Sequence, residues 1–205
     1  MLYHVRIQIN NSEFKFLKTR HFELWQNIAT LYLKKYPTIK LNDYIWMNSH
    51  AHMIIHAIKG DDLPRFLHDL CWRFAFEYNK LEKRKGHFFQ NRYCASMITS
   101  DKQAIMCQRY IYRNQLKAGM VKKIKDTQWS SYHHYAYGEK NDLITPLYVF
   151  EIHGKKTEDR RLNFRVFVKT MMPHEEALWR AKLKHPFLKT TKQIEKNYLS
   201  ITGKS

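Results

Sequence analysis

The sequence predicts an α+β fold, a central antiparallel β-sheet with α-helices packed on it. Segments with period-two alternation, at 3–9 and across 41–58, are interleaved with segments of helical period at 20–35, 63–81 and 101–113. Apolar residues make up 44% of the 205 positions, enough to close the core of one globular domain with an appendage.

The elements follow in order. YHVRIQI (3–9) alternates apolar and polar residues, and the turn-like Asn10-Asn11-Ser12 leads into residues 13–17, which reads as a strand and hairpin. Phe22, Trp25, Ile28, Ala29, Leu31 and Leu33 line one face of a helix over 20–35 that ends before Pro37. Residues 41–58 read as one long strand, apolar on both faces and therefore central, stopped at Gly60. Asp62 caps a helix from Leu63, with Pro64 in its first turn and Phe66, Leu67, Leu70, Cys71, Phe74 and Tyr78 on one face. Residues 86–99 are extended. Asp101 opens a helix that runs to about Arg113 and ends near Gly119, and 122–135 form a basic, aromatic loop. Beyond Gly138, residues 147–152 and 162–169 suggest two strands around the charged turn GKKTEDRR, followed by a short helix at 174–184 and a Lys-rich tail.

Charge speaks about partners. Lys and Arg number 36 against 18 Asp and Glu, a net charge of +18, and a basic domain concentrates polyanions such as nucleic acid. The 12 Phe, 13 Tyr and 5 Trp exclude a wholly disordered chain and, interleaved with the cations, offer surfaces on which bases stack. The alternative is a basic surface used only for solubility. No apolar run reaches the roughly 18 to 20 residues of a membrane helix, and the start is too polar for a secretory signal, so a cytoplasmic, nucleoid-associated location with no membrane partner is expected. Cys71, Cys94 and Cys107 are odd in number and unclustered, which argues against a disulfide framework or a zinc ribbon.

His50-Ala51-His52 carries the sharpest chemistry. Residues i and i+2 of a strand project from one face about 6.5 to 7 Å apart, so two imidazoles can converge on one cation. Twelve histidines bring about 0.7 such triplets by chance, however, and two packed histidines are the alternative. Further on, Tyr110 and Asn114 are i and i+4 on a helix, so a phenol and an amide oxygen can point together. Their alternative roles are an amphipathic core residue and a helix C-cap. Tyr112 points elsewhere.

Several ordered motifs extend these features: YHV at the start, the M-x-x-H-x-H strand (Met47, His50, His52), GHFFQNRYCASMI, YIYRNQLKAGMV and WSSY at 129–132. Across residues 1–140 the chain resembles the single-tyrosine HUH transposases, specifically the IS200-like group associated with repetitive extragenic palindromes (REP). The third and fourth motifs are similar to the family's G-x-x-(W/F)-Q-x-R-(Y/F) and Y-I-x-x-N-P-x-R-A-G-L-V. The resemblance implies an HUH endonuclease fold with a ferredoxin- or RRM-like palm over 1–140, and it leaves 141–205 as a basic C-terminal extension. It also implies that His50, His52 and Asn114 hold Mg²⁺ or Mn²⁺, and that Tyr110 is the nucleophile. The product would be a 5′-phosphotyrosine with a free 3′-hydroxyl, formed on single-stranded, hairpin-forming DNA by a monomer or a homodimer. Two departures stand out: Asn48-Ser49 where the family has Pro-Asn, and Gln115 where it has Pro. Proline ends helices, so its absence predicts a longer helix or a shifted Asn114.

For DNA contact the sequence offers Arg92 and Arg113, then Lys83, Arg84 and Lys85, then Lys122, Lys123 and Lys125. Trp129, Tyr132 and Tyr135 offer stacking surfaces, with a core role as the alternative for Trp129. His56 shares a strand face with the histidine pair and packs or lines the groove. Two rivals stay open: a nucleic-acid-binding protein of the same fold that performs no chemistry, and a hydrolytic metal nuclease with no covalent step.

Overall fold

The computed structural model describes residues 1–10 and 16–170. The elements are β1 (Leu2–Gln8), α1 (Thr19–Lys35), β2 (Ile39–Trp46), β3 (His50–Ala57), α2 (Asp62–Leu81), β4 (Cys94–Ile98), α3 (Asp101–Tyr112), α4 (Asn114–Lys117), α5 (Tyr132–Tyr137) and α6 (Thr157–Lys169). The sheet order is β2-β3-β1-β4, every neighbouring pair antiparallel, which is the expected α+β architecture.

Both faces of the sheet are covered. On one, Val5, Ile7, Trp46, Ala51, Met53 and Ile55 pack against Phe22 and Trp25 of α1 and Phe66, Leu67, Leu70 and Phe74 of α2. Phe16 lies at the centre of this layer, its ring stacked on Trp46 at 4.0 Å and on Phe74 at 5.2 Å. On the other face, Leu2, Ile45, Ile54 and Ile98 meet Ala104, Cys107 and Ile111 of α3, with Tyr135 of α5 and Phe164 and Val168 of α6 in the same core. Residues directly opposite across antiparallel strands share a face. The pairs His4↔Ile54, Arg6↔His52 and Gln8↔His50 therefore put both histidines of the triplet on the α3 side, with β1 as their neighbour.

The two-sided cover explains where the sequence expectations fail. Residues 41–58 form a hairpin, β2 and β3, rather than one long strand. The chain reverses at Met47-Asn48-Ser49, where Met47 N–H donates to the His50 carbonyl at 2.8 Å. Strands apolar on both faces give a near-continuous apolar run, and a turn with neither glycine nor proline does not interrupt it. Only β3 is central. The outer edge of β2 is capped by residues 129–131 and 145: Trp46 N–H donates to Trp129 O, Ser131 N–H to Tyr44 O and Thr145 N–H to Leu41 O. Leu31, expected on the buried face of α1, is exposed. Residues 11–15 of the expected hairpin, the expected helix at 174–184 and the Lys-rich tail lie outside the described residues.

The two expected late strands are helical. Residues 148–153 form a 3-10 turn, and 162–169 lie inside α6. LNFRVFVK alternates like a strand, but Phe164 and Val168, four apart, are the buried pair, while Leu162 and Val166 are exposed. Glu158 and Asp159 in the first turn and Lys169 in the last suit the helix dipole. Phe164 touches the rings of Tyr112, Tyr132 and Tyr135, so residues 141–170 help close the second core. Among the described residues, no helix is long and apolar enough to cross a membrane.

Two buried polar assemblies fix α3 and α4 on the sheet. Gln108 Nε2 donates to Asp43 Oδ1 of β2 at 2.9 Å, and the Tyr112 hydroxyl donates to the same oxygen. The Tyr112 and Ser131 hydroxyls are 2.7 Å apart, and Tyr44 N–H donates to Ser131 Oγ at 2.9 Å. Gln115 forms the second assembly. Its Nε2 donates to Trp46 O at 2.8 Å and to Gln128 O at 2.7 Å, while Gln128 N–H donates to its Oε1 at 3.1 Å.

Full burial pushes the Asp43 carboxyl up to about 7, an effect its two hydrogen bonds only partly offset. The folded protein therefore keeps a proton that the unfolded chain loses near pH 4. This carboxyl's contribution is fully present below about pH 4, declines as pH rises towards 7, and is flat above that. Chemical denaturation of the wild type and Asp43→Asn between pH 4 and 8 is expected to show a gap in favour of the variant that widens with pH, by at most about 4 kcal/mol; a gap independent of pH would contradict it. The same assay is expected to show Gln115→Ala destabilised by about 1–3 kcal/mol, because it takes the donor from the buried Trp46 carbonyl and removes two part-buried bonds to the Gln128 backbone.

Candidate active site

His52 is buried at the centre of the sheet. Its Nδ1 lies 3.0 Å from His4 Nε2 on β1, and the two rings stack at 5.1 Å with 12° between planes. His50, at the start of β3, has its Nδ1 3.1 Å from Ser49 Oγ, and its ring centroid is 5.0 Å from that of His52. With each Nδ1 engaged by a protein partner, each imidazole presents Nε2 as its ligand atom. Burial, with Arg6 beside it, pushes His50 down to about 4. Burial also holds His52 well below its ordinary range, and charge on His4, His50 and Arg6 acts in the same direction. Both rings are thus neutral near pH 7, the form in which imidazole binds a cation.

Helix α3 lays Tyr110 over this pair. The nearly buried Tyr110 ring is 5.6 Å from His52 and 6.1 Å from His4, edge-on to both. Lys117 Nζ sits 5.6 Å from the Tyr110 ring centroid. Asn114 Nδ2 donates to the carbonyls of Tyr110 at 2.9 Å and Ile111 at 3.2 Å, capping the end of α3. The amide nitrogen is spent on the helix, which leaves Oδ1 as the atom with ligand chemistry. Capping and ligation are therefore compatible roles of one side chain. Where the family motif has proline, α3 stops at Tyr112, Arg113 turns the chain and α4 begins at Asn114; Gln115 serves as the anchor described above.

Among the described residues, no three His, Cys, Asp or Glu side chains gather as a metal-ligating group. Neutral imidazole nitrogens and a neutral amide oxygen are each donors that a divalent cation accepts.

Sequence reasoning missed four neighbours of this site. His4 holds His52. Arg6 faces His52 and donates through Nη2 to Gln8 Oε1, while Gln8 faces His50. Lys117 lies over the tyrosine. Period two marks His4, Arg6 and Gln8 as one strand face, but only the pairing of β1 with β3 shows that this face meets the histidines.

The residues expected on DNA divide into separate groups. Arg92 is exposed immediately before β4, whose Cys94 pairs with Arg6. Lys83 and Lys85 are exposed at the end of α2, on the other side of the sheet from the histidines, and Arg84 Nη1 donates to Asn79 Oδ1 at 2.7 Å. Lys122, Lys123 and Lys125 are exposed on the loop after α4. Arg113 is a correction: it is buried, and its Nη1 donates to the Val168 and Lys169 carbonyls at 3.1 and 2.8 Å, capping the C terminus of α6 instead of facing solvent. Trp129 stacks on Phe22 at 4.4 Å with 4° between planes, so one ring face is committed to packing. Tyr132 and Tyr135 are buried in the second core and have no face for a base. His56 is exposed near the far end of β3, opposite Leu2 and Lys40.

No curated protein matches the chain. Among solved structures, it is similar to a REP-associated tyrosine transposase bound to a REP hairpin, with 20% identity over 72% of this chain and 89% of that one and a TM-score of 0.55, a likeness of fold. Residues 1–114 match the model of IS200-like transposases. That span runs from His4 of β1 through His50 and His52 to Tyr110 and Asn114 and covers more than half of the sequence, so the chain belongs to the IS200-like transposase family.

Proposed function

We propose that this chain cleaves and rejoins single-stranded DNA at or beside a hairpin, with Tyr110 as nucleophile and His50, His52 and Asn114 holding Mg²⁺ or Mn²⁺. The observation that carries the reading is the delivery of Tyr110 by α3 onto the sheet face of the two neutral histidines, its ring 5.6 Å from His52. Family membership supports DNA strand transfer, and the hairpin bound by the similar solved transposase supports the substrate class.

The chain's own residues divide the work. His4 and Ser49 hold the two Nδ1 atoms, which turns each Nε2 outward and fixes the tautomer that ligation requires. When bound, a divalent cation supplies Lewis-acid polarisation of the scissile phosphate. Arg6, half-buried opposite His52, adds a cation beside the position the phosphate takes. The Tyr110 oxygen attacks phosphorus and forms the phosphotyrosine bond. The 3′-oxygen departs, the bond to it breaks, and it takes up a proton as the phenol gives one up. The Lys117 ammonium places positive charge beside the ring on which phenolate charge develops. The covalent link conserves a phosphoester, so a 3′-hydroxyl can attack it in reverse and reseal the strand without ATP.

Incubation with labelled hairpin-bearing single-stranded DNA and Mn²⁺ is expected to give a protein–DNA adduct that survives denaturant, absent from Tyr110→Phe and His50→Ala. Cleavage without adduct that survives Tyr110→Phe would establish a hydrolytic nuclease instead. Binding with neither, across a wide set of hairpins, would establish a binding protein. His4→Phe, which keeps the ring and removes the Nδ1 partner of His52, is expected to weaken Mn²⁺ binding in calorimetry about 10- to 100-fold while leaving the fold intact.

A further inference from the structure

A second feature lies on the opposite side of the sheet, where α2 and the segment 86–93 leave an open groove of about 670 Å³. Its floor is apolar, formed by Leu67, Ala75 and Phe88 among others, and its rim carries Asn79, His87, Asn91 and Arg92. No Asp or Glu is among the residues that line it. On its helical wall Trp72 and Phe76, one turn apart, stand 58% and 53% exposed, their rings nearly parallel at 15° with centroids 5.8 Å apart. Most other large aromatics of α1 and α2 are turned into the core. Lys83, Arg84 and Lys85 follow at the C-terminal end of the same helix.

We propose that this groove binds single-stranded DNA, with bases stacked on Trp72 and Phe76 and the backbone along Arg92 and the Lys83–Lys85 segment. Two parallel, solvent-facing rings beside cations are the surface that unpaired bases use, because every base has a π-face while the phosphates need only positive charge. Charge complementarity chooses this occupant: a groove without carboxylates, on a chain of net charge +18, suits a polyanion better than a second copy of a chain equally positive. The groove also leads to the chemistry. Arg92 and Tyr93 on its rim run directly into β4, where Cys94 pairs with Arg6, and Arg6 pairs with His52. From Cys94 to His52 is two interstrand spacings, about 10 Å. One strand can therefore rest its bases in the groove and pass around the start of β4 towards the histidine face. The ligand class rests on the reading of the chain as an enzyme of single-stranded DNA; the groove's role as a binding surface is tested independently of the chemistry.

The probe is a fluorescein-labelled dT20 strand, with a 20-base-pair blunt duplex as control, titrated with the full chain and read by anisotropy at several salt concentrations. Trp72→Ala/Phe76→Ala is expected to bind dT20 at least tenfold more weakly with its salt dependence unchanged, since no phosphate contact is lost. Trp72→Phe/Phe76→Tyr, which keeps both rings, is expected to stay within about twofold to threefold of the wild type, and Arg92→Ala to lower the salt slope by roughly one. Oligonucleotides carrying 5-iodouracil are expected to photocrosslink to Trp72 or Phe76, identified by peptide mass spectrometry. Circular dichroism and a thermal melt establish that each variant is folded. The proposal is overturned if the double alanine variant, folded, binds dT20 as the wild type does, or if crosslinks map elsewhere. It is also overturned if that variant changes only the sedimenting mass, which would make the groove a self-association surface. Weakened binding without any Tyr110 adduct would leave the groove standing and remove the strand-transfer chemistry; an adduct with unchanged binding would do the reverse.

Discussion

The pairing of β1 with β3 at the centre of the sheet is the constraint on which the site depends. It sets Arg6 against His52 and Gln8 against His50, and one residue of slip would turn every one of these side chains to the opposite face. Slip is blocked because the two faces differ in kind. Val5, Ile7, Met53 and Ile55 belong to the apolar α1–α2 layer, while Arg6, Gln8, His50 and His52 share the other face with Leu2 and Ile54. A one-residue slip would carry these polar side chains into the apolar layer, where each buried polar group left without a partner costs roughly 1–3 kcal/mol. The histidines inherit this rigidity, and the same burial keeps them uncharged.

What the sheet fixes on one side, α3 must meet from the other. Its apolar packing on the second core is joined by a set of buried polar groups that accept few geometries. Asp43 takes hydrogen bonds from Gln108 and Tyr112, two residues to either side of Tyr110 in α3, so the helix that carries Tyr110 is keyed to β2 at both ends of the relevant turn. Gln115 then ties α4 to the last residue of β2, just before the reversal that carries His50. Arg113, between those anchors, reaches the C terminus of α6. Residues far apart in sequence thus converge on the few atoms that decide where the phenol stands. A buried carboxyl without full compensation is costly to retain, and its cost is consistent with a role in orientation.

How much of this was legible in the sequence follows from the range of each signal. His50 and His52 on one strand face are a local periodicity that the structure keeps, whereas Tyr110 and Asn114, expected on one helix, fall at the end of α3 and the start of α4, joined by the Asn114 amide that caps α3. The β2–β3 reversal was hidden because two strands buried on both sides write an unbroken apolar run, and Asn48-Ser49 resembles the polar positions of a strand. Residues 162–169 misled in the opposite sense: alternation of period two also appears in a helix that buries only Phe164 and Val168. His4 was invisible as a site residue because its importance arises from pairing with a strand nearly fifty residues away. In the sequence Arg113 reads as a phosphate contact because it lies three residues from Tyr110, yet a helix C terminus attracts the same guanidinium.

The aromatic residues show the same limit most sharply. Their interleaving with Lys and Arg suggested bases stacked on Trp129, Tyr132 and Tyr135, but composition does not say which ring faces are free. Tyr132 and Tyr135 are closed into the second core by Phe164, and Trp129 gives a face to Phe22. In the sequence Trp72 and Phe76 are inconspicuous, lying in a helix whose other aromatics mark an ordinary amphipathic face. On that helix, however, Phe66, Phe74 and Tyr78 already fill the core-facing stripe, so Trp72 and Phe76, two residues to either side of Phe74, fall nearly half a turn away and have no layer to enter. Stacking surfaces are therefore found by asking which aromatic side chains the packing leaves over. In this chain that remainder lies beside Arg92, at the start of the strand that leads to Arg6 and the histidines.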